Sequence, residues 1–403
     1  MTALIDDGKA DPGTHVLLIG VGSYPFLKGG TPGQTFALNM GMDQLSSPPV
    51  SVQALARWFT EKRLVVKSGH KVLLEVDGFN NSDRPLRSLE VLCSDATPFS
   101  LNDSTGAAIE VERARIPAVT QAVTNWSDRA GRNAENLAVF YFCGHGLAFG
   151  EAQNSLLLED FGGNKLKPMG DAIAFDQMRM GLMRHCAARY QCHLIDACRA
   201  PPSKAFLEMF GDESTGDPIV TAGVSRQLRD KTAPVYFATG LASAAYGLTD
   251  QPSLFTQGLL LAMRGAASRD RDDHWEVQVP ALAEGINKCV ASLAFQAQLQ
   301  YCQPRDTGPE LTLHLLQAEP EAVVKILMRD QALLAKTVLA HVQEPSGEMR
   351  SDVRTVRDIP MATPWWVRLA PGQYRFEALT ADTMQLLNAK RKSVAPPGLE
   401  VVL

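Results

Sequence analysis

The 403-residue sequence has no apolar run near the roughly 18 residues that a helical membrane span needs. Its first residues, MTALIDDGKADPG, lack the basic start and apolar stretch of a secretory signal. Cysteine is sparse: seven residues, an odd number, with no Cys-x-x-Cys pair to suggest a structural zinc. Without a secretory signal these read as free thiols in a reducing compartment, so a cytoplasmic protein is expected. An excess of basic charge is missing too. The formal net charge is −5, which argues against a general nucleic-acid binder. Neither a membrane nor a nucleic acid is an expected partner, and no internal repeat or low-complexity tract is present.

What is there is the composition of a globular chain, long enough for two domains. Apolar strand-like runs alternate with helical patterns, which predicts an α/β fold with a mainly parallel six-stranded sheet covered by helices. The strands are read at "HVLLIGVG" (15–22), "SLEVLC" (88–93), "NLAVFYFC" (136–143), "CHLIDAC" (192–198), "APVYFATG" (233–240) and "ELTLHLL" (310–316). Helices are expected near 51–63, 115–130, 171–188, 253–266 and 278–298. Residues 200–232, rich in turn formers, read as one long loop. Beyond "QAEPEA" (317–322) short alternating runs replace the helical patterns, and a small all-β sandwich is expected. The division is therefore 1–316 and 317–403. Charge divides near the same place: residues 320–403 carry a net +2 and the first 319 a net −7.

The chemistry sits at two strand ends. His145 follows the most apolar strand, between Gly144 and Gly146, and Cys198 ends the next one. In an open parallel sheet the carboxyl ends of the strands form the edge where sites are built. Flanking glycines let the backbone at His145 turn sharply and approach a substrate closely. A thiol beside an imidazole makes a nucleophile with a proton acceptor and donor, and the backbone N–H groups of Gly146 and Cys198 are candidates for an oxyanion hole. No metal or other cofactor is needed for that chemistry. Cys143, Cys186 and Cys192 read as core fillers, and His193 as a structural histidine with its hydrogen bonds satisfied.

Over residues 14–316 the chain resembles the caspase-like cysteine peptidases, namely caspases, metacaspases and their bacterial relatives. "LLIGVGSYPFLKGG" is similar to the family's first strand and loop, "FYFCGHG" to the strand that ends in the catalytic His-Gly, and "LIDACRA" to the strand that ends in the nucleophile. "YFATGLASAAYGLTDQPSLFTQGLLLAM" resembles the small-subunit strand, loop and helix. The caspase signature places the His about 50 residues before Q-A-C-[RQG]-G; here Asp196 replaces the Gln and Ala200 the final Gly. The resemblance implies a cysteine endopeptidase acting on protein substrates, with Cys198 as nucleophile and His145 as general acid and base. In metacaspases the position of Asp196 lines a pocket for a basic residue, which implies cleavage after Arg or Lys. Asp196 can equally be structural, accepting hydrogen bonds from loop N–H groups. Bacterial relatives with this layout are often signal-activated effectors of antiviral defence. A caspase-like scaffold without activity and a constitutive processing peptidase are the competing readings. Self-cleavage in the 200–232 loop, at Arg226, Arg229 or Lys231, is a further expectation.

In "PWWVRLAPGQYRFEA" a hairpin turning at Pro371-Gly372 would set Arg368 opposite Arg375 and Trp366 opposite Glu377. Two opposed arginines repel unless an anion lies between them. Trp366, Arg368 and Arg375 are thus candidates for a site that binds an anionic activator such as a nucleotide second messenger. The plainer alternative packs Trp366 against the first domain.

Overall fold

Eight consecutive buried residues, Thr14–Val21 and again Leu137–Gly144, leave no polar face, and such strands are stable only where both sides of a sheet are covered. A computed structural model of the chain shows that arrangement. It describes all residues except 1–2, 62, 69–70, 212–214, 222–230, 242–246, 248, 272–273, 294–299, 307, 309, 331 and 352–363. The central sheet has seven strands: β1 (Ile5–Asp6), β2 (Thr14–Val21), β3 (Leu86–Ser94), β4 (Leu137–Gly144), β5 (Tyr190–Ala197), β6 (Val235–Phe237) and β7 (Gln303–Arg305). Their spatial order is β1-β3-β2-β4-β5-β6-β7. The pairs from β3 to β6 are parallel, and the two edge strands, β1 and β7, run antiparallel.

Period-two alternation divides these strands between two cores. Val16, Leu18, Val139, Tyr141, Cys192 and Leu194 pack with α1 (Ser47–Thr60), α5 (Leu254–Leu261) and α6 (Leu282–Leu293) on one side. Leu17, Ile19, Phe140, Phe142 and Ile195 pack with α2 (Ile116–Ala130) and α3 (Phe175–His185) on the other. Each buried large side chain is worth roughly 1.5–3 kcal/mol.

The sheet has seven strands where six were expected, because short strands close both edges, and two further readings of this part of the sequence need correction. "ELTLHLL" is a strand, Thr312–Leu315, but it pairs with His274–Gln278 in a separate three-stranded sheet. The place at the edge of the central sheet belongs to β7, a three-residue segment containing Pro304. The stretch 200–232 is not one loop: α4 (Lys204–Phe210) lies within it, capped by Ser203, whose hydroxyl accepts the Phe206 N–H. Arg226 and Arg229 lie outside the described residues, and Lys231 donates to the Met183 and Cys186 carbonyls.

The C-terminal strands are β8 (Ala322–Leu327), β9 (Thr337–Glu344), β10 (Met349–Ser351), β11 (Trp365–Leu369), β12 (Gly372–Thr380), β13 (Leu386–Val394) and β14 (Gly398–Val402). They form two sheets, β11-β8-β14 and β10-β9-β12-β13. The expected hairpin does not form. β11 pairs with β8, and β12 with β9 and β13, so the chain at Pro371 crosses from one sheet to the other. Leu369, Tyr374, Phe376 and Ala378 do meet in one core, with Trp365 and Val367 at its margin. They meet face to face across two sheets rather than side by side in one.

Four histidines are buried in this framework, His15, His193, His314 and His341, and burial lowers all four. Burial holds His15 and His314 down to about 4 and His193 down to about 3. The expected hydrogen bonding of His193 is met only weakly: the Pro234 carbonyl partly opposes the effect of burial, neither ring nitrogen has a partner at full hydrogen-bond geometry, and the ring lies among Phe140 and Phe175. The unfolded chain therefore takes up protons first. The stability these groups contribute is fully present above about pH 6.5 and is lost as the pH falls toward 4, by at most about 3 kcal/mol for His15 or His314. Urea unfolding at pH 7 and pH 4.5 should show the lower stability in acid, and His193→Leu should shrink the difference.

Candidate active site

The register of β4 and β5 builds the site. Asp196 pairs with Cys143 and Ala197 with Gly144. Beyond the strand ends Ala200 bridges Leu147 in parallel, and the Ala148 N–H donates to the Ala200 carbonyl at 2.9 Å. The two chains advance by three residues each between these points, which places Cys198 in register with His145. Neighbouring strands lie about 4.8 Å apart. The backbone register thus sets Cys198 and His145 at neighbouring strand ends.

The glycines around His145 serve close approach rather than a turn, since neither has a positive φ. A Cβ on Gly144 would sit 2.8 Å from the Tyr24 hydroxyl, and one on Gly146 would sit 2.5 Å from the Cys198 carbonyl oxygen. Tyr24 was not picked out by the sequence. Its hydroxyl accepts the His145 backbone N–H at 2.9 Å and donates to the Leu157 carbonyl at 3.2 Å. Burial pushes this phenol well above its ordinary value, so it stays a neutral hydrogen-bonding post.

The His145 ring is oriented by the loop before α1. Nε2 lies 2.7 Å from the Asp43 carbonyl oxygen. A carbonyl only accepts, so Nε2 carries the hydrogen and the neutral ring presents Nδ1 as its acceptor. Burial lowers the affinity of this ring for a second proton, and the bond to Asp43 opposes that in part.

Cys198 is the one thiol of the seven that is not buried. Burial raises the other six, Cys143, Cys186 and Cys192 among them, as expected of core fillers. Arg199, next in the chain, anchors the loop. It donates to Asn154 Oδ1 at 3.0 Å and Gln303 Oε1 at 2.7 Å, with its guanidinium 4.3 Å from the Phe237 ring centroid.

Asp196 lies beneath, only 3% exposed. Its Oδ2 accepts from the Ser253 hydroxyl, from Thr256 Oγ1 at 2.7 Å and from Tyr141 at 3.3 Å. Ser253 also caps α5 by accepting the Thr256 N–H. Burial raises the Asp196 carboxyl, and the Ser253 and Thr256 bonds lead those opposing that rise. Of the two roles left open for Asp196, this bonding matches the structural one, with hydroxyls in place of loop N–H groups. Among the described residues no three His, Cys, Asp or Glu side chains group as a metal site, and no helix is long and apolar enough to cross a membrane.

The candidate activator residues are not brought together. Arg368 pairs with Val323 on β8, whereas Arg375 lies between Val342 and Arg391 in the other sheet. Arg375 is bonded to Glu377 at 2.6 Å and Arg391 to Glu344 at 3.1 Å, so carboxylates of this chain relieve that repulsion. Trp366 packs on Ala266, Cys289 and Val323, the plainer of its two expected fates.

No family model matches the chain. It is 27% identical over 323 residues to the uncharacterized protein y4kE of Sinorhizobium fredii (strain NBRC 101917 / NGR234), which covers 77% of this chain and 86% of that protein. Among solved structures it is similar to caspase-1 from Spodoptera frugiperda, at a TM-score of 0.43 and 9% identity, over 79% of this chain and 99% of that one.

The Tyr24 bonds make a sharp test of the local framework. Tyr24→Phe strands a buried N–H and a carbonyl, which costs about 1–3 kcal/mol; the urea midpoint should fall without a change in slope. Gly146→Ala should be the more damaging at the site, because its methyl meets backbone rather than a movable side chain.

Proposed function

We propose that the chain is a cysteine endopeptidase of the caspase-like type, with Cys198 as nucleophile and His145 as general acid and base. The observation that carries this reading is the shared register of His145 and Cys198 at the carboxyl ends of β4 and β5, together with the His145 tautomer set by the Asp43 carbonyl.

The Cys198 proton passes to His145 Nδ1, and the thiolate attacks the carbonyl carbon of a peptide bond. The tetrahedral oxygen is held by the N–H groups of Gly146 and Cys198. His145 returns its proton to the departing amine as the C–N bond breaks, leaving a thioester. Water, deprotonated by the same ring, then releases the acid and restores the thiol. The Asp43 carbonyl keeps the imidazole in place and stabilises its charged form between the two proton transfers. Cleavage after Arg or Lys is proposed on Asp196 alone. A substrate cation would have to share a carboxylate that Ser253 and Thr256 already engage.

Peptidase assays on the purified full chain test the proposal. Cys198→Ala and His145→Ala should each remove turnover by several orders of magnitude while the protein stays folded, and Cys143→Ala should keep most of it. Comparable turnover in Cys198→Ala would overturn the assignment. A peptide library should show Arg or Lys before the cut. Asp196→Asn should lower turnover on basic peptides more than on neutral ones; equal losses on both would leave Asp196 a purely structural role.

A further inference from the structure

Most half-buried guanidiniums of this chain are matched by carboxylates. Arg113 and Arg115 meet Glu159, Arg129 meets Glu90 and Asp6, Arg179 meets Asp306, and Arg305 meets Asp176. Arg264 is different. It lies in the turn Ala262–Ala266 that continues α5 and kinks at Gly265, it is half-buried, and its Nε, like those of Arg87 and Arg305, is buried with no hydrogen-bond partner. Among the described residues no carboxylate pairs with it.

The packing brings a second guanidinium to the same seam. Ala266, two residues from Arg264, packs with Cys289 of α6 against Val323 of β8. The cross-strand neighbour of Val323 is Arg368. Alternation along β11 sends Arg368 to the same side as Trp366, which joins this cluster, while Trp365, Val367 and Leu369 turn to the β core. Arg368 is exposed and likewise has no carboxylate partner among the described residues. Its charge is felt by both Arg264 and Cys289: burial first, then Arg368, lowers the Arg264 guanidinium, and Arg368 partly offsets the burial of the Cys289 thiol. Lys325, facing Trp366, is already engaged by Glu400 at 2.8 Å.

Two neighbouring guanidiniums without a carboxylate are costly. Arg264 loses hydration at the seam, and Arg368, which keeps its own, repels it. An anion between them removes both costs. A carboxylate presents one pair of oxygens, which suits a single fork, whereas a phosphate has enough oxygens to accept from two. We propose that Arg264 and Arg368 form a binding site for a phosphate group at the seam between the α5 turn and β11. The residue that completes the site is Arg264, which no motif of the sequence marks; Arg375, on the other sheet, takes no part. The indole of Trp366 borders the site and offers an apolar plane to whatever carries the phosphate.

The test uses the full chain and does not depend on peptidase activity. Calorimetric titration and thermal unfolding are measured in phosphate-free buffer with inorganic phosphate, pyrophosphate, adenosine monophosphate and, as a carboxylate control, acetate. The phosphate-bearing probes should bind and raise the unfolding midpoint, and acetate should not. Tighter binding of adenosine monophosphate than of inorganic phosphate would assign the natural source to a nucleotide; equal binding would assign it to the phosphate alone. Arg264→Gln and Arg368→Gln should each weaken binding about tenfold or more, while Arg375→Gln should leave it unchanged. In the absence of anion, Arg368→Gln should be at least as stable as the parent, since it relieves repulsion. Binding by none of the phosphate probes, or equal binding by parent and both glutamine variants, would overturn the proposal.

Discussion

The pairing of β4 with β5 is the constraint on which the rest of the site depends. A parallel pair has no turn to fix its register, so the register must come from side chains that leave no alternative. A slip of one residue would turn Phe140 and Phe142 toward α1 and α5, and Tyr141 and Cys143 toward α2. Each face is already filled by helices, so such a slip would empty one core and overfill the other. The same packing that stabilises the sheet therefore sets His145 beside Cys198. The bridge from Leu147 to Ala200 carries that register three residues past the last paired strand position.

Around this pair the protein uses backbone where a side chain might have been expected. The His145 ring is oriented by the Asp43 carbonyl, and its N–H is held by Tyr24. A carbonyl partner gives orientation without adding a second negative charge beside a thiol that must ionise. The Asp43 carboxylate is paired with Lys28, and Asp196 is kept under the edge and engaged by hydroxyls. A buried carboxylate so engaged can tie α5 to the sheet two residues before Cys198.

The strand ends were legible because long apolar runs that stop at His145 and Cys198 can hardly be anything but buried parallel strands. What was not legible depended on partners distant in sequence. Asp196 takes its donors from Ser253 and Thr256, and nothing in "LIDACRA" names them. Period two showed that Trp365, Val367 and Leu369 share a face with one another, as do Tyr374, Phe376 and Ala378. It could not show whether the two sets meet within a sheet or across a sandwich, because both arrangements bury the same atoms. β7 was missed for a different reason: Gln-Pro-Arg carries no apolar signal, and only the open edge of β6 makes it a strand.

Helix α5 joins these two regions of the molecule. Its first turn supplies the hydroxyls that hold Asp196, and its last turn runs on into the kinked segment that carries Arg264. Eight helical residues span about 12 Å, so the two ends move as one rigid body. Physical coupling requires an element that both sites bias, and α5 meets Asp196 at one end and runs on to Arg264 at the other.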